Sequence, residues 1–209
     1  MQIRVNEESS YIRFLNATSN SNQIEIYMND MLIFSNIRYK DFTAYAPILP
    51  GDYTIKVYEC ENTDNIILEQ NLSIAGGNVA TLVISGLMPK LIMLAVFENP
   101  NEEIYEGNAK FRIAHLSPTM LPIDLMVNNV KMIDEIPFGK RTNYAQVPNG
   151  IYEFRIEESD IDIPDGKNKI SINKKIQIKD KKIYTIYVVG DSPNIEIIQS
   201  LDVITYMNK

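Results

Sequence analysis

The chain reads as an all-β protein made of two tandem β-sandwiches. Three observations predict this: apolar residues alternate with polar ones, turn signals recur at close spacing, and the sequence repeats itself over about the length of one domain. Residues 10–57 recur at 109–156 with a constant offset of 99, as from Arg13 to Arg112. Ile24 falls on Ile123, Asn29 on Asn128 and Ile37 on Ile136. Thr43, Tyr45 and Ala46 fall on Thr142, Tyr144 and Ala145, and Gly51 and Tyr53 on Gly150 and Tyr152. After a longer loop the register resumes at an offset of 104, with Thr81 on Thr185 and Gly86 on Gly190. A repeat near 100 residues is too long for a solenoid unit and fits one domain. The predicted division is a first sandwich at 1–100, a linker at 101–108 and a second sandwich at 109–209.

The elements follow in order. Ile12 and Phe14 share one face of the first strand, with Arg13 opposed. Ile24, Ile26 and Met28 alternate with Glu25 and Tyr27; Tyr53, Ile55 and Val57 alternate with Thr54 and Lys56. A period of two marks half-buried strands, apolar inward and polar outward. No window carries a sustained helical stripe with caps. Asn29-Asp30 and Asn128-Asn129 lie between apolar runs and read as tight hairpins, since asparagine tolerates the positive φ of a primed turn. Pro50-Gly51 and Asn149-Gly150 mark a second turn, Gly76-Gly77-Asn78 and Asp180-Lys181 a third, and Gly86 and Gly190 each close an apolar run. Strands are expected at 10–16, 23–28, 31–37, 42–47, 52–59, 67–74 and 79–85, with a short closing strand at 91–96. Many short strands with regular turns imply antiparallel sandwiches of immunoglobulin-like or transthyretin-like type. The acidic stretch from Phe97 to Asn108 interrupts the alternation and reads as linker. In each Gly-x-Tyr pair the glycine supplies an unusual backbone angle and the tyrosine hydroxyl is expected to bond backbone at a sandwich corner.

Composition narrows the function classes. The single cysteine, Cys60, excludes an intrachain disulfide and a cysteine-based zinc cluster. Residues 1–104 hold 6 Lys+Arg against 13 Asp+Glu, and residues 105–209 hold 14 of each. The formal charge of −7 therefore lies in the first half, and such a chain repels phosphates rather than binding nucleic acid. Lys167, Lys169, Lys174, Lys175, Lys179, Lys181 and Lys182 cluster in the second half and read as solvated edge-strand and loop residues. The opening MQIRVNEESS has no apolar run of signal-peptide length, and no stretch approaches the roughly 18 apolar residues of a membrane span. A cytoplasmic protein, or one made in a mother cell and deposited on a spore, is expected.

Several motifs resemble a known family. Arg13-Phe14-Leu15-Asn16-Ala17-Thr18-Ser19, Ile24 to Asn29, the Tyr39-Lys40-Asp41-Phe42-Thr43-x-Tyr45 stretch and Leu49 to Val57 are similar to the bacterial and archaeal domain of unknown function 4397. The second copy repeats the pattern, and its His115-x-Ser117-Pro118 stretch leading to Asp124 is closer to the usual family form. The first copy departs from it, with Asn16 for the histidine and Ser19 for the proline. The resemblance spans about residues 10–202 and implies tandem β-sandwiches, often in surface-associated proteins, with no established activity. The Asn-, Ile- and Lys-rich composition resembles that of clostridial proteins.

Candidate chemistry is sparse. His115 is the only histidine, with Ser117 and Asp124 nearby as the makings of a hydrolytic triad. The first copy has Asn16 and Thr18 at the matching positions, which instead suits a polar group satisfying backbone at a strand end. Cys60 lies between Glu59 and Glu61, whose charges disfavour a thiolate. Asp160, Asp162 and Asp165, followed by Gly166, resemble an acidic calcium loop, although the spacing misses the EF-hand pattern. They fall where the second copy is longer by five residues (an offset of 104 against 99). Tyr27, Tyr39, Tyr45 and Tyr58 are candidates for a sugar-binding platform in a chain that has 12 tyrosines and no tryptophan. The expected function is a non-enzymatic structural or adhesion-type protein without a cofactor. Its expected partner is a protein or a cell surface, with association through sheet edges into a homo-oligomer. The alternative is a carbohydrate or small-ligand binding module, assisted by calcium.

Overall fold

Apolar side chains at every second position can all reach one side of a pleated strand, and two such strands layers facing each other bury them. The computed structural model describes residues 9–60, 62–99, 102–160 and 168–202 of the chain. It divides into two units, Met1–Pro100 and Asn101–Asn208. The first contains β1 (Ser10–Asn16), β2 (Ile24–Met28), β3 (Met31–Ile37), β4 (Ala46–Ile48), β5 (Gly51–Glu59), β6 (Asn62–Ile74), β7 (Val79–Leu87) and β8 (Lys90–Glu98). The second contains β9 (Asn108–His115), β10 (Ile123–Val127), β11 (Val130–Ile136), β12 (Ala145–Pro148), β13 (Gly150–Glu158), β14 (Ser171–Ile178), β15 (Ile183–Asp191) and β16 (Asn194–Leu201).

Each unit is a sandwich of two four-stranded sheets, ordered β4-β1-β7-β8 and β3-β2-β5-β6 in the first, β12-β9-β15-β16 and β11-β10-β13-β14 in the second. Pairing is antiparallel except between β1 and β7 and between β9 and β15, which run parallel. In an immunoglobulin constant domain the first strand lies beside the second; here β1 lies between β4 and β7. The cores match residue for residue: Ile24, Ile26, Ile55 and Val57 in one unit, Ile123, Leu125, Phe154 and Ile156 in the other, all without exposed surface.

Several boundaries differ from the sequence reading. The strand expected at 42–47 is the three-residue β4, reached through isolated bridges from Leu15 to Phe42 and, in the copy, from Ala114 to Arg141. β6 begins at Asn62 rather than 67, and β8 runs on to Glu98, inside the stretch read as linker. Asn108, also assigned to the linker, opens β9. Alternation predicts a polar, solvated face for β1, yet every residue from Ser10 to Asn16 is buried. As a central strand it is covered on both sides, and Arg13 is held by partners rather than by water.

The hairpin turns are as the residues dictate. Asn29 and Asp30 have φ of 47° and 62°, and Asn128 and Asn129 have 49° and 64°, the two left-handed residues of a primed turn. The tyrosine corners also form: Tyr53 OH donates to Leu49 O and Tyr152 OH to Pro148 O, each at 2.8 Å. The glycine half of that expectation holds at one copy only. Gly51 has a φ of 155°, while Gly150 has no positive φ and simply lies against the Tyr152 ring, 3.6 Å from where its Cβ would be. Gly86 is under tighter constraint. Its φ is 108°, and an added Cβ would sit 2.5 Å from Lys90 O and 3.2 Å from Leu91 Cα, both backbone atoms. Gly86→Ala should therefore destabilise the first unit by roughly 2–4 kcal/mol through strain and overpacking together. A thermal midpoint within about 2 °C of wild type would contradict this.

The two flanks of each sandwich are finished differently. On one, β6 faces β8, and the Gln70 amide clamps the β8 edge: Nε2 donates to Met93 O (3.2 Å) and Oε1 accepts from Met93 N (3.3 Å). Lys174 Nζ does the donor half of this job in the second unit, donating to Ile197 O at 2.8 Å. On the other flank the edge strands β3 and β11 carry register shifts, with Asn36 and Glu135 at φ of 57° and 55°. Such bulges twist an edge away from further pairing.

Candidate functional site

Residues shared by both repeats converge on one buried network per unit. On the face of β1 opposite Ile12 and Phe14, Arg13 Nε donates to Thr81 Oγ1 at 2.8 Å. Thr81 Oγ1 donates to Glu98 Oε1 at 3.0 Å, and Tyr45 OH donates to the same oxygen at 2.6 Å. The guanidinium lies 3.6 Å from Glu98, 4.5 Å from the Tyr45 ring centre and 4.8 Å from that of Phe42. The second unit rebuilds this with Arg112, 1 % exposed. Its Nε donates to Thr185 Oγ1 (2.9 Å) and its Nη2 to Asp202 Oδ2 (3.2 Å). Thr185 donates to Asp202 Oδ1 (2.7 Å), Tyr144 OH donates to Asp202 Oδ2, and the guanidinium stacks 4.4 Å from the Tyr144 ring. Arg, Thr and Tyr were legible as repeat matches. The carboxylate was not: Glu98 sat in the presumed linker. The signal was present, because Asp202 lies 104 residues beyond Glu98, the offset of the threonines.

His115 takes a structural post. It has no exposed surface; Nε2 lies 3.3 Å from Leu121 O, and Ser117 N donates to Nδ1 (3.4 Å). Asn16 does the same in the first unit, with Nδ2 donating to Ile37 O (3.1 Å) and Oδ1 accepting from Thr18 N (3.0 Å). Burial pushes the His115 pKa down to about 4, against weaker upward pulls from the Leu121 and Met120 carbonyls and from Glu158. The triad arrangement is not assembled. Ser117 Oγ is buried without a hydrogen-bond partner among the described residues. Asp124 accepts from Ser159 Oγ and from Glu135 N (3.0 Å) and pairs with Lys131 Nζ at 3.0 Å. Burial raises the Asp124 pKa, but these three partners outweigh it and hold the carboxyl below its ordinary value.

Of the acidic loop, Asp160 is exposed and paired with Lys169 Nζ at 2.9 Å; Asp162 and Asp165 lie outside the described residues. Among the described residues no group of three or more His, Cys, Asp or Glu could hold a metal ion. Lys174 and Lys175 lie on the edge strand β14. The tyrosines part company. Tyr45 is buried in the network, Tyr39 is half-buried beside Lys40, and Tyr27 and Tyr58 meet edge to face, 5.0 Å apart, both half-exposed on the outer side of β2 and β5. Cys60 is half-buried just past β5.

A cleft opens along the β3/β4 flank and along the β11/β12 flank. In the first unit it measures about 270 Å³ and is walled by Met28, Met31, Ile33, Pro47, Ile48 and Tyr53. In the second it measures about 570 Å³ and runs on past Ile133 to Lys140, Arg141 and Tyr144.

Paired sandwiches, each with a buried Arg-Thr-Tyr-carboxylate network, define a tandem all-β class. The chain belongs to the family described as Domain of unknown function (DUF4397), whose model matches residues 10–123 and 109–205. No curated protein matches it. Among solved structures, the chain is similar to the "Putative cell adhesion protein" of Parabacteroides distasonis ATCC 8503, at 6% identity over 94% of this chain and 99% of that one, with a TM-score of 0.23. A likeness at that score bears on neither fold nor function. No helix among the described residues is long and apolar enough to cross a membrane.

Proposed function

We propose that the chain is a non-enzymatic protein of structural or adhesion type, which presents loops and sheet edges to a protein or cell-surface partner. One observation supports this most: the polar residues common to both units are engaged within the fold. Arg13 and Arg112, Tyr45 and Tyr144, Tyr53 and Tyr152 all hold structural partners, and His115 duplicates the work of Asn16. The proposal includes a clostridial origin, by composition, and a cytoplasmic or mother-cell-made, spore-deposited protein. It also includes a homo-oligomer formed through sheet edges, visible on a sizing column. The strand order and the parallel β1/β7 pair favour the transthyretin-like over the immunoglobulin-like sandwich. The decisive experiment combines saturable binding of labelled chain to intact cells and spores with a serine-reactive probe. Binding without labelling is expected; Ser117 labelling that disappears in His115→Ala would overturn the non-enzymatic reading.

A carbohydrate or small-ligand module is the second reading, favoured by the half-exposed Tyr27–Tyr58 pair, which the second unit lacks, having Met126 and Glu157 there. Calcium held by Asp160, Asp162 and Asp165 belongs to this reading. A glycan array run with and without EDTA tests it: retention that needs calcium and is lost in Asp162→Ala supports the module, and a blank array removes it.

A further inference from the structure

The rim of the second-unit cleft carries charges that its counterpart lacks, with Asp134, Glu135 and Lys140 where the first unit has Ser35, Asn36 and Asp41, and Arg141 is the one that bears on the buried network. In the first unit the position after Asp41 is Phe42, whose ring lies against the Arg13 guanidinium. The matching position in the second unit is Arg141, at the same isolated bridge to the first strand of the sandwich. Arg141 thus brings a second guanidinium towards Arg112, where the first unit has an aromatic ring. Arg112 has Asp202, but the Arg141 side chain makes no hydrogen bond or ion pair among the described residues. Arg141 is itself exposed at the mouth of the cleft; partial desolvation and the charge of Arg112 lower its pKa from the ordinary arginine value, while Tyr144 and Asp202 act the other way.

The remaining charges on the rim do not answer Arg141. Asp134 is paired with Lys131 Nζ at 2.5 Å, and Lys131 also reaches Asp124. Glu135, on the bulge of β11, and Lys140 are both exposed. Below this rim the wall is apolar, formed by Phe111, Leu125, Ile133, Ile136 and Ala145. At about 570 Å³ the cleft has the volume of a small-molecule site, and such sites are mostly apolar with one or two fixed polar groups.

We propose that the cleft between β11 and β12 binds a small apolar acid, with its anionic head on Arg141 and its hydrocarbon body over Phe111, Leu125 and Ile133. An anion there relieves the repulsion between Arg112 and Arg141, and the apolar body leaves water for the wall. This goes beyond the adhesion reading and does not depend on it: cell-surface binding can fail while the cleft is filled, and the reverse.

Decanoate is the probe, titrated into the full chain by calorimetry and followed by amide NMR. Saturable binding at one site is expected, with shifts at Phe111, Ile133 and Ala145. Decyltrimethylammonium, of the same tail and opposite charge, should bind at least tenfold more weakly. Arg141→Phe, which installs the residue of the first unit, should weaken decanoate at least tenfold, as should Arg141→Gln, which serves if the phenylalanine variant fails to fold. Glu135→Gln should leave binding equal or tighter. Absence of saturable decanoate binding, equal affinity for the cationic amphiphile, or equal affinity of the arginine variants each overturns the proposal.

Discussion

Asp202→Ala should destabilise the second unit by about 3–5 kcal/mol, the cost of leaving a buried guanidinium without its counter-charge. Asp202 is 1 % exposed and receives Arg112, Thr185 and Tyr144 at once. Removing it leaves the charge and two hydroxyl donors unanswered in a place water does not reach. Glu98→Ala should do the same to the first unit, where Thr81, Tyr45 and Arg13 meet one carboxylate oxygen. The pair as a whole contributes far less than either deletion suggests, because both ions gave up hydration on burial. Arg112→Met combined with Asp202→Leu should therefore recover the part of the loss that comes from the unpaired charge, about half of it, while Thr185 and Tyr144 stay without their acceptor. Urea unfolding, with hydrogen exchange read unit by unit, measures all three. A single-variant loss under about 1 kcal/mol, or a double variant as unstable as the single ones, would count against the network as described.

Acid should weaken the second unit through His115 alone among the histidine-linked terms, since the chain has no other histidine. The folded-state pKa is about 4 and the ordinary value 6.5, so between those limits the unfolded chain binds the extra proton. Stability is full above pH 6.5 and falls as pH drops towards 4, by about 2 kcal/mol at pH 5 and about 3 kcal/mol at pH 4. His115→Asn removes this term while keeping the donor and acceptor that Asn16 shows to be sufficient. The measurement is the difference in unfolding free energy between wild type and His115→Asn at pH 7.5 and at pH 4.5. Parallel pH profiles would mean that the imidazole is not buried neutral. Protonation of carboxylates other than Glu158, which is coupled to His115, affects both chains alike and cancels in the difference.

The strands and turns were legible because their signals are local. Alternation in Ile24-Glu25-Ile26-Tyr27-Met28 needs only the pleat, and Asn29-Asp30 carries its own backbone preference. His115 was legible through comparison, since Asn16 in the other copy shares its hydrogen bonding and not its acid–base chemistry. The network carboxylates were hidden by composition: Glu98 lies in an acidic run, and only pairing with β7 places it beside Thr81. The bulges at Asn36 and Glu135 carry no turn signature, and the cleft is a product of topology. Residues 133–145 wrap from one sheet to the other, and nothing local announces that Arg141 arrives near Arg112.

The Gln70 clamp has a consequence for self-assembly. A strand edge invites another chain wherever its amides and carbonyls are idle, and β8 is kept from doing so at Met93 by a single neutral side chain. Lys174 answers only the carbonyl at the same place and adds a charge that would have to be buried in any intruding strand. The two units thus differ in how they resist templated growth. The first fills both the donor and the acceptor at its edge, whereas the second fills the acceptor and relies on the cost of burying the Lys174 charge, a cost that salt screens little.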